Sequence, residues 1–262
     1  MRTLLLLIAL NAEMLVYGQA SDSLRSIHGR YDAFTTDELG NVYTLQGDVL
    51  AVFDATGRLI ARNSLKTFGR ITTMDAFYSL KPMVFSTEQG QLAVLDNTLS
   101  IQTVLNLPRS GFPQVSLACA SVQNAFWFFD DREMSLMRVD AQMRIIANTG
   151  RLDQLLGMVV KPLAMHEHDN WLYVNVPKEG LLVFDLFGTY DRTIPIVGAS
   201  SFEVRGQFIH FLKDGEPYYY DRRNFTTNKV EVSLTNEEIR DLRVERGRKY
   251  LLLPARIAVV ER

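Results

Sequence analysis

The chain has 262 residues, with 28 Lys and Arg against 30 Asp and Glu, for a formal net charge of −2. A hydrophobic share of 47% with 22% charged residues excludes intrinsic disorder, and the lack of a basic block argues against nucleic acid as a partner. The single cysteine, Cys119, excludes an intrachain disulfide framework and any multi-cysteine metal or cluster site.

The first element is an address. Arg2 precedes an unbroken apolar run, Thr3 to Leu10, and Gly18-Gln19-Ala20 supplies small residues for cleavage before Ser21, so residues 1–20 read as a signal peptide. The run is too short to span a bilayer, and Asn11 and Glu13 interrupt its continuation. No cysteine stands near the cleavage point, so no lipid anchor is expected, and no later segment is long and apolar enough for a transmembrane helix. Export without disulfides fits a bacterial periplasm. Residues 21–262 are then one domain.

That domain reads as a repeat. Five apolar segments end in aspartate, at Asp54, Asp96, Asp140, Asp185 and Asp221, spaced by 42, 44, 45 and 36 residues. The carboxylate of each can accept backbone N–H groups ahead of it and close a tight turn. Gly57, Gly188 and Asn224 are expected to take the turn position that tolerates positive φ. Eleven residues before each Asp stand Tyr43, Phe85, Phe129, Val174 and His210, and a sixth, degenerate copy sets Tyr250 before Glu261. Copy four displays four strands: Pro162 to His168, Trp171 to Pro177, Gly180 to Gly188 and Thr189 to Ile196. Helical spacing is confined to Arg151–Val160 and to Thr235–Asp241, where Thr235 and Glu238 match a capping box.

Six copies of about 40 residues have the blade length of a β-propeller. The last copy runs out of chain after its third strand, and the segment Ser23 to Gly29 is spare. The expected fold is therefore all-β, a six-bladed β-propeller closed by an N-terminal strand that completes the last blade. The segments around Asp54 and Asp185, VLAVFDATGRLI and LLVFDLFGTYD, resemble the strand–Asp–turn–strand core of NHL-like six-bladed propellers. That resemblance implies a fold shared by scaffolds, receptors and a few hydrolases or lactonases, and not one activity.

Chemistry-bearing residues are sparse. His166-Glu167-His168 is the one tight histidine cluster; residues two apart on a strand share a side, so both rings could ligate a metal beside Asp169. The bland alternative is a strand end beside an exposed turn. Lactonase-like propellers place a metal in the central channel, and the innermost strands here offer Glu38, Asp75, Glu167, Glu203 and Asp241, at unmatched positions. No nucleophile elbow or phosphate-cradling loop is present, and Cys119 lies in an apolar inner strand as a buried, inert thiol. No metal site or cofactor is therefore assigned. Trp127 and Trp171 could stack on sugars, but both lie in apolar strand runs that suit a core.

Two surfaces stand out as partner-binding. The connection between copies three and four carries Leu155 and Leu156 with Leu152, Met158 and Val159, either packed down on the ring or exposed as a contact. Three connections on one face carry Phe68 and Arg70, Arg109 and Phe112, and Arg151, residue types favoured in interface hot spots. The expectation is a non-catalytic periplasmic scaffold binding a protein partner. In kind it resembles small envelope propellers of Bacteroidota that accompany outer-membrane complexes, such as an accessory subunit of a secretion translocon. The rival is a metal-dependent enzyme or small-ligand binder at the channel mouth.

Overall fold

The computed structural model describes residues 25–78, 80–232 and 237–260. The signal-peptide reading of residues 1–20, the capping Thr235 and the closing Glu261 lie outside them. Among the described residues, twenty-four strands form six antiparallel sheets of four. β1 (Arg25–His28) precedes the first complete blade, β2 (Ala33–Thr36), β3 (Val42–Gln46), β4 (Val49–Phe53) and β5 (Leu59–Ser64). Blade 2 is β6 (Thr73–Asp75), β7 (Met83–Ser86), β8 (Gln91–Leu95) and β9 (Ile101–Asn106). Blade 3 is β10 (Val115–Ser121), β11 (Ala125–Asp130), β12 (Ser135–Val139) and β13 (Ile145–Asn148), followed by the short helix α1 (Leu152–Leu156). Blade 4 is β14 (Ala164–His168), β15 (Trp171–Val176), β16 (Gly180–Asp185) and β17 (Tyr190–Ile194). Blade 5 is β18 (Ala199–Arg205), β19 (Phe208–Lys213), β20 (Glu216–Asp221) and β21 (Thr226–Lys229). Blade 6 is β22 (Asp241–Glu245), β23 (Arg248–Leu253) and β24 (Arg256–Val260).

The chain ends meet in blade 6. β1 pairs antiparallel with β24, from Arg25 opposite Val259 to His28 opposite Arg256, so the sheet order is β1-β24-β23-β22. The protein is a six-bladed β-propeller with the expected closure. Ile27 anchors the joint, buried with Tyr250, Ile257 and Val259 against Phe34 and Val42 of blade 1. Each of the six apolar clusters fills one blade-to-blade interface. The middle strands are covered on both faces, which is why they read as continuous apolar runs rather than alternating ones. The residues eleven before each Asp, and Tyr250 in the sixth copy, all fall on the second strand, and all but His210 are buried in these clusters. Cys119 is fully buried between blades 3 and 4, and burial pushes its thiol well above the ordinary range.

The recurring aspartates close the outer hairpins. Asp54 Oδ1 accepts the N–H groups of Thr56 at 2.9 Å and Arg58 at 3.0 Å. Asp96, Asp140 and Asp185 accept the equivalent pair. The Thr56 hydroxyl, which also donates to Asp54 Oδ1, and then the Arg58 N–H hold the Asp54 carboxyl down at about 2. Each of these four hairpins carries a bulge where the register slips by one residue. The residue three after Asp has positive φ in all four: Gly57, Leu99, Met143 and Gly188. Leu99 occupies that position because its side chain is buried in the core between blades 1 and 2. Gly188 has a second reason, since a Cβ there would stand 3.1 Å from the backbone of Asn148 and Thr149 in blade 3. Blade 5 departs from expectation: its hairpin pairs without a bulge, and Phe225, not Asn224, takes positive φ. The turn is one residue longer, with Phe225 N–H donating to Asp221 O at 2.8 Å.

The second helical expectation does not hold where it can be seen. Residues 237–240 have no helical structure, and β22 begins at Asp241.

Candidate functional site

The blade-to-blade connections share one face. Leu65, Leu107, Leu152 and Gly198, which follow the outer strands of blades 1 to 4, each donate a backbone hydrogen bond to the turn between the second and third strands of the same blade. This places the three Arg-bearing connections together, as expected. The aromatic residues there turn inward. Phe68 is 3% exposed in the core between blades 1 and 2, and Phe112 is 5% exposed, its ring 5.6 Å from Phe128. Both are therefore corrected from surface hot spots to core residues: short 3-10 turns, Lys66–Phe68 and Pro108–Ser110, fold each ring back into the nearest blade gap. Arg70, Arg109 and Arg151 remain exposed, and Arg151 pairs with Asp153 at 2.8 Å.

The connection through α1 is partly packed down on the ring and partly exposed. Leu152 and Val160 are buried in the core between blades 3 and 4, with Leu156 and Met158 packed partly against it. Leu155 stays 50% exposed and Val159 66%, with Leu163 close behind in the chain and also exposed. The buried pair pins the segment and leaves three apolar side chains exposed outside.

The opposite face opens into the channel. A cavity of about 420 Å³, including its open mouth, is lined from blades 1, 2, 4, 5 and 6. Its walls are the far ends of the inner strands. Phe77 reaches across it, its ring edge-on to His168 at 6.0 Å and under the Arg205 guanidinium at 5.9 Å. His166 packs edge-on against Phe202 at 5.3 Å. Burial holds the His166 imidazole at about 4; Arg243 and Arg205 push the same way, and Asp75 opposes them. Burial also lowers His168, whose Nε2 lies 3.2 Å from Asp169 Oδ2. Both rings are thus neutral near pH 7.

The channel carboxylates are in use as fasteners between blades. Asp75 Oδ2 accepts the N–H of Ala120 in blade 3 at 3.0 Å. Glu167 accepts three donors from blade 3: Ser121 Oγ, Val122 N–H and Trp127 Nε1–H. Glu203 accepts Val244 N–H of blade 6 at 2.6 Å and pairs with Arg205, which also holds Glu245. Burial raises the Glu203 carboxyl, and Arg205 partly offsets the rise. Asp241 pairs with Arg243 at 2.7 Å. Among the described residues no three His, Cys, Asp or Glu side chains gather as a metal cluster. Trp127 is buried against Glu167, and Trp171 packs partly into the core between blades 4 and 5, so the described residues do not present these two as a stacking platform. The two channel arginines were not singled out in the sequence. Their signal is the acid-x-Arg spacing of Glu203/Arg205 and Asp241/Arg243, which puts both charges on one side of a strand.

No protein-family model and no curated protein matches the chain. Solved structures do resemble it. Virginiamycin B lyase from Staphylococcus aureus aligns with a TM-score of 0.63 at 11% identity, over 91% of this chain and 99% of that one. The Pan2 WD40 domain of Neurospora crassa gives 0.63 at 7% identity, over 89% and 90%. BamB from Moraxella catarrhalis gives 0.51 at 10% identity, over 88% and 82%. At such identities the likeness is one of fold. No helix among the described residues is long and apolar enough to cross a membrane.

Proposed function

We propose that the protein is a non-catalytic scaffold of the bacterial envelope, exported through residues 1–20, that holds a protein partner on its connection face. The observation that carries this reading is the exposure of Leu155, Val159 and Leu163 along one connection that Leu152 and Val160 pin from beneath. A segment fixed before binding loses little freedom when a partner covers it. Exposed Arg70 and Arg109 on the same face suit a partner whose apolar contact is flanked by acidic residues. The non-catalytic part of the reading is supported by the channel carboxylates, whose oxygens are engaged between blades. An outer-membrane or secretion complex is the proposed setting, on the strength of the apolar N-terminal run, the size of the chain and its propeller fold.

The test is a site-specific photo-crosslinker placed at Val159 in cells, with one at Phe187, in an outer turn of blade 4, as the control. A single crosslinked envelope protein is expected from Val159 and not from Phe187. Leu155→Asp should cut its yield at least about tenfold. Equal yields from both positions would defeat the choice of face.

A further inference from the structure

We infer that the channel mouth binds an alkylammonium head group. The inference is independent of the connection-face reading, because the cavity opens on the opposite side of the ring. It rests first on acceptors that the protein leaves unused. Thr36 lines the cavity at 2% exposure, and its hydroxyl has no hydrogen-bond partner among the described residues. A buried hydroxyl left unpaired is costly unless something else meets it. Nδ1 of His168 is likewise buried without a partner among the described residues. The contact of Nε2 with Asp169 at 3.2 Å keeps the proton of the neutral ring on Nε2, so Nδ1 offers a lone pair. His166, on the same side of the strand, lines the cavity too.

Charge points the same way. The ionisable lining is Asp75, Glu167 and Glu203 against Arg205 and Arg243. Glu245 and Asp241, the partners of those two arginines, add negative charge beside it. The mouth is therefore acidic on balance and favours a cation over an anion. Phe77 and Phe202 supply aromatic walls, and Phe77 already draws the Arg205 guanidinium to its ring at 5.9 Å, the contact a cation seeks there. A guanidinium is matched by a free carboxylate fork, and the lining carboxylates already serve the blades. An ammonium asks for three single acceptors. Thr36 and His168 offer two of that kind, with the neutral His166 ring beside them in the lining.

Such a head group has two sources, a free small amine or a lysine side chain of a protein lying across this face. The experiment measures binding to the whole mature protein by calorimetry, with thermal shift in parallel. The probes are n-butylammonium chloride, sodium butyrate as the anionic control, and the blocked peptide acetyl-Gly-Lys-Gly-amide. Saturable binding of n-butylammonium with none of butyrate is expected. Thr36→Val should weaken it at least about tenfold while leaving the melting temperature of the free protein equal or higher, because the unmet hydroxyl is gone. His168→Phe should weaken it as well. A peptide bound about tenfold more tightly than n-butylammonium identifies a lysine source, and equal or weaker binding identifies a free amine; both sustain the site. Absence of saturable amine binding, equal binding of butyrate, or full affinity in both variants would overturn it.

Discussion

Carboxylates do the same chemical work at the rim and in the channel of this ring, but over different distances. At the rim, Asp140 accepts N–H groups two and four residues ahead of it and closes its own hairpin. In the channel, Glu167 accepts N–H and O–H groups 40 to 46 residues back along the chain and fastens two blades. The rim pattern repeats because every hairpin needs a turn. The channel pattern does not repeat, because each interface solves its polar problem in its own way. Asn63 bridges blades 1 and 2 through Leu99 O, Asn175 bridges blades 4 and 5 through Ala199 O, and Tyr250 reaches Gly40 O between blades 6 and 1. Local carboxylates shape a blade, and distant ones hold the blades in a circle.

The comparison breaks most clearly under an acid-to-amide exchange. Glu167→Gln puts an NH₂ group where one oxygen stands. In one orientation it faces Trp127 Nε1–H, and in the other Val122 N–H. Either way a donor at a blade interface meets a donor. An unmet polar group there costs about 1–3 kcal/mol, so equilibrium urea unfolding should show a loss of that size. An unchanged midpoint would mean that Glu167 is not a fastener.

A pH titration sharpens the contrast from the channel side. His166 titrates at about 4 in the fold against an ordinary value of 6.5. The unfolded chain therefore binds the proton first, and stability contributed above pH 6.5 drains away as the pH falls toward 4. The difference corresponds to at most about 3 kcal/mol, reduced by water in the open mouth. His168, also lowered, has the same sign, whereas the raised Glu203 gains stability as the pH falls. Unfolding midpoints from pH 7 to 4.5 should drop in the wild type and drop less in His166→Phe. Parallel curves would place the acid sensitivity elsewhere.

The same division of range decides what could be read from the amino-acid order. Asp–turn spacing, the large residue eleven positions earlier and the spare strand at Arg25–His28 are one-dimensional signals, and the six blades and their closure follow from them. The other inner strands were placed with their carboxylates, down to the two histidines that share the channel side of β14, but Glu38 falls in the turn past the end of β2 at Thr36 and does not line the channel. The partners of Glu167 and Glu203 were not visible, because residues more than 40 positions apart meet only once the ring has closed. Phe68 and Phe112 were misplaced for a related reason. A loop aromatic can point out or in, and what draws these two inward is the neighbouring blade, absent from any local window. Phe225 shows the limit even within a turn, where one added residue moved the strained position past Asn224.

Asp140→Asn is the matching exchange at the rim, and its expected effect is the smallest. Asparagine keeps the oxygen that accepts from Gln142 and Arg144, and it forms the same kind of turn. What disappears is the charge that pairs with Arg144 at 2.6 Å in open solvent, where an exposed pair counts for little. The Asp140 carboxyl is held below its ordinary range chiefly by the Arg144 backbone N–H, and that hydrogen bond survives in the amide. The melting temperature should therefore fall by no more than about 3 °C, and the bulge beside Met143 should persist in amide chemical shifts. A fall as large as that of Glu167→Gln would mean that turn closure at the rim, and not fastening in the channel, limits the stability of the ring.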